Sequence, residues 1–356
     1  MSINTSAAAS DLARELVRVD TVNPPGSEAA AQALVASFLA ASEVPVETYA
    51  RESSRPNLVA RLPGRGERPA LILHGHVDVV GVDGQVWTHA PFEGVVRDGV
   101  LWGRGTLDNK AGVAMLAHGF ARAARDRLVP GGDIILVSAA DSETGGRAGL
   151  AYLLEQHPHL FAGASYAIGE FGGFPLSGFD RRLYAIGVGL KQYAHLRLRL
   201  TGTGGHGSRP SNGSLTGELA RVLGRLDTVR APLRVTDMST QVLTSIAEAL
   251  GPSSDLPLRD LTNEATAPRA LASLGALRPG FEAMLRDTAN PTLVRAGHKF
   301  NVTPSEATVE LDCRLTPGGS VEELVAWVQS VVGPTVEITV LDSGPPAPAT
   351  FDDSLL

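Results

Sequence analysis

Apolar residues are distributed along this chain in two different ways, and the change comes near residue 188. Before it, short unbroken apolar runs alternate with helical patterns. Leu71-Ile72-Leu73 and residues 134–137 lack polar alternation, as expected for strands covered on both faces of a parallel sheet. Residues 164–168 are a further strand candidate. Val113, Leu116, Ala117 and Phe120 recur at helical spacing and predict a helix over residues 110–125. Similar spacing predicts helices over 11–19, from 27–30 to about 42, and over 148–155. Residues 46–49 and 57–62 read as half-buried strands flanking a polar run from Arg51 to Arg55, and Asp98-Gly99 predicts a hairpin turn.

After about residue 189 the pattern becomes an alternation. His195, Arg197 and Arg199 interleave with apolar residues over 194–200, and residues 307–315 alternate likewise, as in antiparallel strands wet on one face. Helices are expected over 215–226 and 321–332, with a last strand over 336–341. Gly202 to Gly207 is a glycine-rich turn holding His206, and residues 252–267 read as polar and irregular. The fold expectation is therefore α/β: a doubly wound, mainly parallel sheet domain over 1–187, carrying an inserted two-layer α+β domain over 188–344. Residues 345–356 start a return to the first domain.

Bulk properties narrow the function class. The chain has 356 residues, 43% hydrophobic and 19% charged, which allows a sizeable core in two domains. A net charge of −7 disfavours nucleic acid as a partner. Cys313 is the only cysteine, so an internal disulfide and a multi-thiolate zinc site are excluded, and a reducing, cytoplasmic setting is the expectation. Residues 1–10 lack the pattern of a signal peptide, and no apolar run approaches the roughly 20 residues that span a bilayer. Gly103-Arg104-Gly105 is not followed by the spacing of a dinucleotide fingerprint.

The chemistry sits at the ends of the apolar runs. His76 and Asp78 follow Leu71 to Leu73 and share a strand face, so the carboxylate can hold one imidazole nitrogen while the other meets a metal. The alternative is a satisfied strand-end histidine. His74, on the same face, reads as packed or supporting. Glu143 follows the second run and Glu170 the third. Asp108 sits just before a helix, where it could also be an N-cap. One histidine with several carboxylates suits zinc, and a carboxylate can bridge two ions. Read separately, the four are caps and turn residues.

Five ordered motifs go further: His76-Val77-Asp78; Trp102-Gly103-Arg104-Gly105 leading to Asp108-Asn109-Lys110; Asp141-Ser142-Glu143-Thr144-Gly145-Gly146; Gly205-His206-Gly207-Ser208-Arg209-Pro210; and Asn301-Val302 before Asp312-Cys313-Arg314. With them the chain resembles the co-catalytic zinc hydrolases that include acetylornithine deacetylase, succinyl-diaminopimelate desuccinylase, aminoacylase and carboxypeptidase S, nearest the last branch. The resemblance implies a metallopeptidase or amidohydrolase cleaving amide bonds of N-acyl amino acids or small peptides through metal-bound water. It implies a pair of zinc ions, with Co2+ or Mn2+ as substitutes. His76, Asp108, Glu143 and Glu170 would be ligands, Asp108 bridging, with Asp78 orienting His76. The inserted domain would be a lid and dimerisation domain, making a homodimer, and its His206 would stabilise the oxyanion. Asn301 and Arg314 would contact substrate, Arg314 through its carboxylate. As alternatives, His206 is a turn histidine and Arg314 a surface cation.

Two departures accompany the resemblance. The family's general base, a glutamate, is replaced by Ser142, which cannot act as a base near neutral pH unaided. The family's C-terminal segment, with its glycine-rich loop and last histidine ligand, has no counterpart before Leu356. Both favour an alternative, an impaired or inactive relative that binds metal or ligand without hydrolysis.

Overall fold

The computed structural model describes residues 5–170, 172–176, 178–179, 181–187, 189–209, 213–252, 254–348 and 350. Pro210 of the histidine motif and the terminal residues 351–356 lie outside the described residues. The chain divides into two compact units, one up to residue 171 and one from Gly172 onward.

The first unit contains α1 (Thr5–Val17), α2 (Ala29–Ala40), β1 (Glu47–Ala50), β2 (Pro56–Leu62), β3 (Ala70–His76), β4 (Val95–Arg97), β5 (Val100–Trp102), α3 (Lys110–Arg125), β6 (Ile134–Ala139), α4 (Leu150–Gln156) and β7 (Ala164–Ile168). Its sheet runs β1-β2-β6-β3-β7. The expected mainly parallel sheet is in fact mixed. β3 pairs in parallel with β6 and β7, whereas β2 is antiparallel to both β1 and β6. Connection length accounts for part of this: a short loop joins β1 to β2, whereas crossovers through α3 and α4 bring β6 and β7 back in the direction of β3. Helices cover both faces. Leu16, Val35, Leu39, Val113, Ala117 and Phe120 pack on one side, and Leu153 and Leu160 pack against Ile135 and Val137 on the other. Leu71, Ile72 and Leu73 are half-buried rather than fully covered, because β3 lies one strand in from the β7 edge. The β4–β5 hairpin turns at Asp98 and Gly99, both at positive φ (54° and 78°), as a two-residue turn of this hand requires.

The second unit contains β8 (Gly172–Leu176), β9 (Leu183–Ile186), β10 (Gln192–Thr201), β11 (Gly205–His206), α5 (Leu215–Thr228), α6 (Asp237–Leu250), α7 (Ala267–Ser273), α8 (Arg278–Leu285), β12 (Thr288–Ala296), β13 (Val302–Thr303), β14 (Glu306–Leu315), α9 (Val321–Val332) and β15 (Glu337–Ser343). Four strands form an antiparallel sheet, β12-β14-β10-β15. Alternation in β10 and β14 buries Ala194, Leu196, Leu198, Leu200, Val309, Leu311 and Cys313 against α5 and α9, and leaves Arg197 and Arg199 outside. Both helices begin at serine caps: Ser214 accepts from Gly217 N–H, and Ser320 from Glu323 N–H.

Helices α6 to α8 are not evident from the pattern of the sequence. They form a smaller core around Leu243, Leu271, Phe281 and Leu285. The 252–267 segment, expected to be irregular, contributes Leu258 and Leu261 to that core through a 3-10 turn at Arg259–Thr262. The three unevenly spaced leucines of this polar stretch, Leu256, Leu258 and Leu261, show no clear period, yet they suffice to anchor it.

Leu196 is fully buried at the centre of the second unit's sheet. Leu196→Ala is expected to cost about 2–5 kcal/mol in chemical denaturation, from lost transfer energy and the cavity left behind. Val340→Thr, at a 43% exposed position, is expected to stay within about 0.5 kcal/mol.

Candidate metal centre

β3 ends at His76, and Val77-Asp78-Val79 runs on beside residues 21–23. Asn23 N–H donates to Val79 O, Val79 N–H to Thr21 O, and the Thr21 hydroxyl to Val77 O. Asp78 is thereby carried into the interior at 0% exposure. Its carboxylate meets four donors. Oδ1 accepts from Ser142 N–H (3.0 Å) and faces His76 Nδ1 (3.2 Å). Oδ2 accepts from Asn23 Nδ2 (2.8 Å) and Glu143 N–H (3.0 Å). Burial pushes the Asp78 carboxyl up, but the bonds from His76, Asn23 and Glu143 outweigh it and hold the group below the usual carboxylate range.

With Nδ1 on Asp78, the Nε2 of His76 points to two further carboxylates: Asp108 Oδ1 at 3.1 Å and Glu170 Oε2 at 2.9 Å. Asp108 leaves the turn that precedes α3. The helix cap is Asn109, so Asp108 is free of that duty. Gly75 allows the approach, since a Cβ there would lie 2.9 Å from Asn109 Oδ1. Lys110, fully buried, donates from Nζ to Val19 O at 2.6 Å and ties the start of α3 to the end of α1. Glu170 follows β7.

Ligand atoms of His76, Asp108 and Glu170 all lie within 4.8 Å of one another. One imidazole nitrogen and two carboxylate oxygens form a donor set suited to a divalent cation. Glu143 stands beside this group but is not one of the three. Burial, followed by the charge of Asp108, pushes its carboxyl up. Ser142 is exposed, and its N–H is bonded to Asp78. His74 is half-buried; burial pushes its imidazole down, against the pull of Glu170. His206, Asn301 and Arg314 belong to the second unit. Exposed His206 lies on β11, its Nδ1 2.8 Å from Ser208 Oγ, and Gly207 N–H donates to Asn301 O. Arg314 forms an ion pair with Asp312 at 2.9 Å.

The sequence reading missed the support beneath this cluster. Asp141, next to Ser142, is 4% exposed at φ 62°. Arg55, at the end of the polar run, is 7% exposed and lies between Glu28 and Asp141. Asn57 donates to Ala148 O and accepts from Ala140 N–H, clamping the same loop. The placement of Arg55 and Asn57 around Pro56 at a strand start was a weak signal, because polar residues are ordinary there.

A family model, peptidase family M20/M25/M40, matches residues 72–356. The chain belongs to this family. Among M20-related proteins, it is 29% identical over 300 residues to the human N-fatty-acyl-amino acid synthase/hydrolase PM20D1, covering 81% of this chain and 58% of that protein. It is 27% identical over 272 residues to the probable carboxypeptidase S-like 2 of Dictyostelium discoideum, covering 74% and 51%. The chain thus spans a little over half the length of these two relatives. Against succinyl-diaminopimelate desuccinylase of Gluconacetobacter diazotrophicus the identity is 27% over 346 residues, covering 95% and 76%. The fold matches the M20 metallo-carboxypeptidase Sso-CP2 of Sulfolobus solfataricus with a TM-score of 0.65 at 19% identity, over 95% of this chain and 78% of that one. It also matches Bacillus subtilis YXEP, described as a dinuclear metal binding peptidase, at 0.55 and 13%, over 98% and 76%. The M20 family is metal-dependent, and its members named here are hydrolases and peptidases. No helix among the described residues is long and apolar enough to cross a membrane.

In the metal-free chain, burial pushes the His76 imidazole down, while Asp78 and Glu170 overcome it and raise it to about 10. A raised histidine stabilises the fold fully below its unfolded value of about 6.5, and that contribution is lost as pH rises through the folded value. The thermal stability of the metal-free chain relative to His76→Asn is therefore expected to shrink between pH 6.5 and about 10. Lys110, pushed down to about 8 by burial, titrates in both proteins and cancels in the difference. A difference independent of pH would contradict the assignment.

Proposed function

We propose that the chain is a metal-dependent hydrolase of amide bonds in N-acyl amino acids or small peptides. The observation that carries this reading is the convergence of His76, Asp108 and Glu170, with His76 already held by Asp78. The names of the human and Gluconacetobacter relatives refer to acyl groups on amines, and that of the Dictyostelium relative to a peptidase, which supports the bond class.

In this reading the first unit is catalytic. His76, Asp108 and Glu170 hold the cation, Glu143 completes its surroundings, and Asp78 keeps the His76 Nε2 lone pair aimed outward. The nitrogen and oxygen donors favour zinc, with cobalt or manganese as substitutes. When bound, the ion supplies Lewis-acid polarisation of the scissile carbonyl. The second unit serves as lid and homodimer contact. There His206 donates to the developing oxyanion, Asn301 contacts substrate, and Arg314 gives up Asp312 for a substrate carboxylate.

One observation favours a second reading, in which metal is bound but turnover is impaired. Ser142 stands at the family's base position, exposed, with its backbone N–H committed to Asp78.

Zinc-loaded chain is expected to hydrolyse some members of a panel of N-acyl amino acids and dipeptides, and to lose that activity on chelation. Bound zinc below one ion per chain would overturn the proposal. Ser142→Glu is expected to raise kcat by roughly 10²–10⁴-fold if a missing base limits the wild type, since a positioned base has that worth. An active wild type that Ser142→Glu does not improve would remove the impaired reading.

A further inference from the structure

We propose that Arg55 is a positioning residue of the metal centre, fixing the 141–144 turn and, through its amides, the hold of Asp78 on His76. The inference rests on the metal-binding reading above. Arg55 donates through Nη2 to Glu28 Oε1 at 2.7 Å and through Nε to Glu28 Oε2 at 3.1 Å, while Nη1 meets Asp141 Oδ1 at 3.1 Å. Glu28 is 0% exposed and Asp141 4%, so one buried guanidinium offsets two buried carboxylates. The Gly26 backbone packs directly against it. A Cβ on Gly26, at φ +80°, would fall 2.4 Å from the guanidinium carbon.

From Asp141 the chain of bonds leads to the metal cluster. Its carboxylate also accepts from the Thr144 hydroxyl (2.5 Å), Asn23 Nδ2 (3.1 Å) and Ala148 N–H (2.8 Å). Those bonds hold the turn in which the next two amides, of Ser142 and Glu143, reach Asp78. The amide of Asn23 bonds Asp78 as well, so it links the two carboxylates directly. Among the described residues Arg55 pairs with Glu28 and Asp141 and not with His76, Asp108 or Glu170, so its influence runs through Asp141. The planar fork matters, because a lysine ammonium is a single point that cannot serve Glu28 and Asp141 in the same geometry.

The test compares wild type, Arg55→Lys, Thr144→Val and Thr144→Ser. Thr144 is exposed, so its variants are expected to fold even if Arg55→Lys does not. Two readouts are taken: amide hydrogen exchange at Ser142 and Glu143 in metal-free chain, and cobalt affinity by absorbance titration against a chelator. Arg55→Lys and Thr144→Val are expected to speed exchange at those two amides roughly tenfold, as local opening becomes easier, with the amides of α9 unchanged. Cobalt affinity is expected to fall roughly 10–100-fold, the usual effect of losing support behind a ligand. Thr144→Ser is expected to retain wild-type values for both. Folded Arg55→Lys or Thr144→Val with wild-type exchange and cobalt affinity would overturn the proposal. A wild type that takes up no cobalt would sink the metal reading instead, and the exchange rates would still decide whether Arg55 holds the turn.

Discussion

A carboxylate buried without solvent is the constraint on which the first unit turns. Asp78 is fully enclosed, and a charge in that position is tolerated only if its lone pairs are filled. Four groups fill them: two backbone amides, one side-chain amide and one imidazole. They come from three separate pieces of backbone. Satisfying Asp78 therefore determines where the 142–143 turn, the 23 loop and the His76 ring must be. The imidazole is oriented as a by-product, with Nε2 left for the carboxylates of Asp108 and Glu170.

The same logic extends outward by one layer. Asp141 is a second buried carboxylate, and Arg55 and Glu28 surround it with opposite and like charge. Burial opposes ionisation of both aspartates, yet both are held below the ordinary range because their donors outweigh that penalty. A network of this kind is costly when a single member is missing, which makes it specific rather than merely stabilising. Membership of the M20 family agrees with a metal-dependent role for the cluster above it.

Much of the fold was legible from pattern alone, for identifiable reasons. The α3 and α9 helices match their predicted limits, because each shows an uninterrupted helical period and begins at a polar boundary. β10 and β14 were legible because one face is wet, which makes the alternation plain. The β4–β5 hairpin followed from Asp98-Gly99, whose backbone tolerates positive φ. By contrast, α6 to α8 were not read, and neither was the antiparallel half of the first sheet. The direction of β2 depends on which strand it meets, and the pattern within a strand does not record its neighbour's direction. In the candidate site, His76, Asp108 and Glu170 were legible as polar residues ending apolar runs or preceding a helix. Arg55 was not, since a surface arginine and a buried one look alike in sequence.

Local chemistry is what the chain determines by itself: which segments prefer helix or strand, where turns are allowed, and which side chains offer nitrogen or oxygen to a metal. These depend on residues a few positions apart, so a one-dimensional reading captures them. Tertiary structure decided which polar residues lost their water. Asn23 and Glu28 lie close in sequence, but Arg55 and Asp141 are distant from them, by 118 residues for Asn23 and Asp141, and the four become one network only when the sheet brings them together. Their partners were decided by burial, because a polar group removed from solvent must bond to whatever the fold places beside it.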